Sequence, residues 1–198
     1  MPLSKPVRRK AHHSRTVICN GFLRDDELWD IEARMTDVKT YDVENPERGG
    51  YVAGGEAFHD ISLRITLDKM LLIHQVESSI DEAPFQICAR IEMAFRKLEG
   101  TRIGPGWQKE VKTLLGGVEG CTHMNELLPV VATTAIQTLW PSSAAKGEGN
   151  VLKEGAKFML NSCHTWGQSS EMVKVYLPEH FIFQDSNSHA SGQNKRVI

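Results

Sequence analysis

The chain has 198 residues, 40% of them hydrophobic, with 23 basic and 25 acidic side chains and a formal net charge of −2. That length suits one domain with its own core, and the balanced charge argues against a dedicated nucleic-acid binder. No apolar run approaches the roughly 18 residues that cross a bilayer, and the basic start lacks the apolar stretch of a secretory signal. The four cysteines then read as reduced thiols of a cytoplasmic protein.

Residues 1–15 carry Lys5, Arg8, Arg9, Lys10 and Arg15 and read as a solvated arm, or alternatively as an arm laid on a partner subunit. Thr16–Arg24 reads as a strand, with Gly21 as a candidate bulge. Trp29, Ile31, Ala33 and Met35 alternate with polar residues, the period of a half-buried strand. Residues 42–57 hold a proline and four glycines and read as a long loop. The clearest strand follows, with Ile61, Leu63, Ile65 and Leu67 on one face, and Met70–Ser78 pairs with it as a hairpin.

After Asp81 the period becomes helical. Pro84 opens a helix with an Ile87, Ile91, Ala94, Phe95 and Leu98 stripe. A second helix is expected over Gly106–Leu115. A third runs from Cys121 to Leu139, broken near Leu128 by Pro129 and ended by Trp140-Pro141. Residues 142–150 read as a linker, Val151 to Trp166 as helix, Val173–Leu177 as a short strand, and the segment after Asp185 as a polar tail. Strands first and helices afterwards predict an α+β domain over residues 16–183. Its form is an antiparallel meander of about four strands with helices on one face.

Reactive side chains gather in three places. In GCTHMNEL (residues 120–127), His123 and Glu126 share a helical face and Cys121 sits at a helix N-terminus, where a thiol is acidified. NSCHTW (161–166) repeats the pairing with Cys163 and His164. The four atom types suit zinc, but C-x-H and C-H are poor chelating spacings, so a metal-free protein is expected. In FHD (58–60), His59 enters the best strand on its apolar side and Asp60 on the other, beside Arg64; Tyr41 and Arg48 flank the preceding loop. No dinucleotide, phosphate-loop, nucleophile-elbow or zincin motif is present, so no organic cofactor is expected.

These clusters predict acid/base chemistry. His59 or His123 is the candidate base, Asp60 or Glu126 its orienting carboxylate, and Tyr41 an anion stabiliser. Arg48, Arg64, Cys121, Cys163 and His164 are the candidate substrate contacts. Helices packed over one sheet face would bring His59 and His123 into one pocket although 64 positions separate them.

The strings RDDELWDIEARMTDVKTYD, NPERGG, HD at 59–60, RIGPGW and GCTHMNELL resemble a bacterial family catalogued as a domain of unknown function, over roughly residues 4–182. The resemblance implies a link to breakdown of lignin-derived aromatic dimers, through a lyase that releases formaldehyde from a phenylcoumaran. The expectation is therefore a cofactor-independent lyase on a small aromatic molecule. A binding or regulatory protein without turnover and a metal-assisted lyase or hydrolase are the alternatives. A homodimer is expected as well, since closed dimers are the commonest assemblies and Trp29 looks exposed.

Overall fold

The computed structural model describes residues 3–145 and 159–183, with side chains through Leu139 and again from Met159. Four long strands form one antiparallel sheet: β1 (His13–Leu23), β2 (Trp29–Lys39), β5 (Ala57–Leu67) and β6 (Ile73–Glu82), in that spatial order. A short hairpin of β3 (Val43–Asn45) and β4 (Gly50–Val52) interrupts the meander. The expected loop at 42–57 thus has structure of its own. Asn45 accepts from the Arg48 amide to cap the turn Pro46–Arg48, and Gly49 leaves that turn at φ 80°.

The strand alternation read from sequence is the alternation of burial. Ile31, Ala33 and Met35 of β2 and Ile61, Leu63, Ile65 and Leu67 of β5 are buried on the inner face, while the intervening residues point outward. Trp29 is half-buried and packs against this core, so it is not the exposed aromatic expected. β1 starts three residues earlier than its β-branched run suggests, at His13, because its first residues pair with the end of β2. Its pairing with β2 passes Gly21 without a shift, so Gly21 is no bulge. A Cβ there would lie 2.1 Å from Thr138 Oγ1, and glycine is what lets the helix approach the strand.

The inner face is covered by a 3₁₀ segment (Gln86–Leu98), α1 (Trp107–Leu115) and α2 (Thr122–Ala145). α2 continues through Pro129 and Pro141, against the predicted break and stop. Proline in a helix interior costs about 3 kcal/mol. Met124, Leu127, Leu128, Val131 and Leu139 are buried along α2, and at about 1.5–3 kcal/mol each that stripe outweighs the penalty.

The chain divides into two compact units, Met1–Leu139 and Trp140–Ile198. Within the described part of the second, α3 (Glu171–Tyr176) replaces the predicted strand at 173–177. Ser170 accepts from the Val173 amide as its cap, and Val173 and Leu177 pack with Leu160, Trp166 and Phe181. Residues 146–158 and the tail lie outside the described residues; of the rest, 142–145 of the expected linker belong to α2, and 160–166 of the expected helix form turns and a 3₁₀ segment at His164–Trp166.

Candidate functional site

Asp37 and His59 are direct cross-strand partners at the end of β2 and β5. Both occupy the inward phase that the apolar residues set, so a carboxylate and an imidazole meet where the pattern calls for core side chains. His59 Nδ1 lies 3.0 Å from Asp37 Oδ2. The register shifts just beyond, between Asp37 and Val38, leaving Phe58 opposite no partner; such bulges re-aim side chains near sites. Phe58 and His59 make an edge contact at 5.4 Å.

β1 adds two groups. Arg15 grips Asp37 with both prongs, Nε to Oδ1 and Nη2 to Oδ2, each at 2.8 Å. His13 Nε2 reaches Asp37 Oδ1 at 3.2 Å. α2 adds two more: His123, in its first turn, lays its ring on His59 with centroids 3.9 Å apart, and Glu126, nearly a turn on, pairs with Arg15. The expected meeting of His59 and His123 is present in the structure. Arg15 ties all three elements together.

The electrostatics follow from this packing. Hydrogen bonds from Arg15 overcome burial and hold the Asp37 carboxyl at about 2. His59 is pushed below the ordinary histidine value, first by burial and then by the neighbouring His123, against the pull of Asp37. An ionised carboxylate can only accept, so Nδ1 of neutral His59 carries the proton toward Asp37, and Nε2 keeps its lone pair as a proton acceptor.

One donor atom each from Asp37, His59 and His123 lie within 4.8 Å of one another, the spacing of a three-ligand ion site. Two features work against that use. Asp37 already accepts from Arg15 twice and bonds His59, with His13 beside it. The imidazoles lie ring on ring, whereas co-ligands aim their nitrogens at one point from different directions. The arrangement suits proton transfer better than chelation.

Several predicted residues sit elsewhere. Asp60, expected to orient a histidine, points to the outer face and is held by Arg34 at 2.7 and 2.5 Å; the carboxylate that bonds His59 is Asp37. Arg64 shares that outer face and pairs with Glu32 and Glu77. Glu126 contacts Arg15 and not an imidazole. Arg48 binds the Ala57 carbonyl at 2.8 Å and Glu82 at 2.7 Å, tying the small hairpin to the sheet. Tyr41 lies along a strip that leads to the histidines: its ring meets His12, and Lys39 Nζ sits 5.9 Å from Tyr41 and 5.8 Å from Phe58. Cys121 precedes α2, half-buried against the core. Cys163 and His164 belong to the second unit, Cys163 exposed and His164 opening a 3₁₀ turn.

Asp37, Arg15 and His13 were missed by the sequence reading. A signal for Asp37 existed, because it continues the series Ile31, Ala33, Met35 on the apolar phase of its strand.

A family model described as "Protein of unknown function (DUF2889)" matches residues 13–137, and the chain belongs to that family. The matched span begins at His13 and includes every residue of the cluster. No curated protein and no solved structure matches the chain.

Proposed function

We propose that the chain is a lyase that works by side-chain acid/base chemistry on a small aromatic alcohol, releasing formaldehyde. The observation that carries the acid/base part is the His59 imidazole held by Asp37 at 3.0 Å and stacked on His123. In a retro-aldol cleavage, His59 Nε2 takes the hydroxyl proton as the C–O bond becomes the carbonyl of formaldehyde. The electron pair of the breaking C–C bond forms an alkene as the adjacent benzylic oxygen leaves, as a phenolate from a phenylcoumaran or as hydroxide from a diarylpropane diol, and is then protonated. Asp37 stabilises the imidazolium formed, which returns the proton to the departing oxygen. Lys39 and Tyr41, on the aromatic strip, stabilise the phenolate. The aromatic substrate class rests on the sequence resemblance and on that strip.

The test is incubation of the full chain with phenylcoumaran and diarylpropane alcohols. Formaldehyde and an aromatic alkene in equal amounts are expected, and His59→Gln should lower the rate by about 10²–10⁴ with its circular dichroism unchanged. Saturable binding of the aromatic with no product would replace the lyase by a binding protein. Activity that disappears with a chelator and returns with a divalent ion would replace it by a metal-assisted enzyme.

A further inference from the structure

The two edges of the sheet are finished differently. Along β6, the Ile73 amide donates to the Thr101 carbonyl at 2.9 Å and the Ile73 carbonyl accepts from Gly100 at 2.8 Å. The Val76 amide donates to Glu99 and the Ile80 amide to Glu92, at 3.2 and 2.6 Å, while Ser78 Oγ donates to the Glu92 carbonyl. That edge is closed by the segment beside it.

Among the described residues β1 has none of this. It is 11 residues long and paired with β2 through every residue, and no described strand lies on its other side. Long, regular edges are usually guarded by charged side chains, proline or a bulge; β1 has the inward Arg15 near its start, and Thr16–Leu23 has no lysine, proline or bulge. Instead Ile18, Phe22 and Leu23 stand 55%, 47% and 54% exposed.

We infer that β1 pairs antiparallel with β1 of a second copy, joining two four-stranded sheets into one across a two-fold axis. The charges select that occupant and that direction. The chain before β1 is basic (Arg8, Arg9, Lys10) and the turn after it acidic (Asp25, Asp26, Glu27). Among the described residues Lys10 and Asp25 have no ion-pair partner. A two-fold axis near Ile18 sets each basic end against the acidic end of the other copy; parallel pairing would set like against like. The apolar residues Val17, Ile18 and Phe22 then fall inside the joined sheet. Arg15 and His13 lie in the same strand, so assembly would also steady the groups that hold Asp37.

Sedimentation of the full chain at tens of micromolar tests this without any assay of activity. A dimer is expected. Ile18→Lys with Phe22→Lys, both on the outer face and away from the histidines, should give a folded monomer. Asp25→Lys should weaken the dimer about tenfold, and Lys10→Glu added to it should restore the affinity. A monomeric native chain, or a dimer that survives the double lysine variant, overturns the proposal. If the lysine variant fails to fold, the charge pair decides: a dimer indifferent to both reversals also overturns it.

Discussion

His59 and Asp60 are neighbours in sequence and lie on opposite faces of β5, and each face holds an arginine–aspartate pair. On the outer face Arg34 grips Asp60 with two hydrogen bonds; Asp60 is 9% exposed, and Arg34 is more than half exposed. On the inner face Arg15 grips Asp37 in the same way, and Asp37 is 2% exposed. The bonding pattern is alike; the surroundings differ. Water can replace the outer pair at little cost, whereas inner Asp37 has only protein donors around it. The difference teaches that the consequence of such a pair is set by what surrounds it.

Replacing each carboxylate by alanine would show the contrast most strongly. Asp37→Ala should cost about 3 kcal/mol in urea unfolding, at the lower end of the range for breaking a buried pair, because Arg15 can reach solvent. Asp60→Ala should cost about 1 kcal/mol or less. Equal losses would abolish the distinction.

Acid sharpens it further. Asp37 is held at about 2 in the folded chain, so its stabilisation is complete above the ordinary carboxylate range and disappears as pH falls toward 2. Its contribution is about 2 kcal/mol. His59 acts in a higher window: its folded value is lowered, so the unfolded chain binds its proton first. Stability should therefore fall as pH drops below about 6.5, and His59→Gln should flatten the curve between pH 7 and 5 while leaving the loss at lower pH.

The smallest expected effect is local. His123→Gln removes the second cause of the lowered His59 value, so the His59 titration midpoint should move upward by NMR. A midpoint that stays in place would mean that the stacked ring contributes nothing to the electrostatics.

How far sequence could reach depended on the kind of signal. Strands β2 and β5 were legible because their side chains alternate between core and water. The nearness of His59 and His123 followed from one helix layer over one sheet face. Their partner carboxylate did not, because Asp60 and Glu126 were favoured for being close along the chain, whereas a strand sends its next residue to the other face and supplies its true neighbour from across the ladder. The segment Gln86–Leu98 was read as an α-helix, since its apolar spacing fits one. In 3₁₀ form its 13 residues extend about 26 Å instead of about 20 Å. That extra length runs further along the ten residues of β6, so Glu92 and Glu99 meet different amides of that edge. Tertiary anchoring of this kind leaves no periodic trace.

Gly21 has one more consequence. Its bare backbone makes room for Thr138 of α2, and His123 stands 15 residues nearer the start of the same helix, about 22 Å away at 1.5 Å per residue. The helix therefore links a contact without a side chain to the imidazole that rests on His59. A single methyl group at position 21 would act as a wedge under the far end, tilting the rod and shifting the ring that rests on His59.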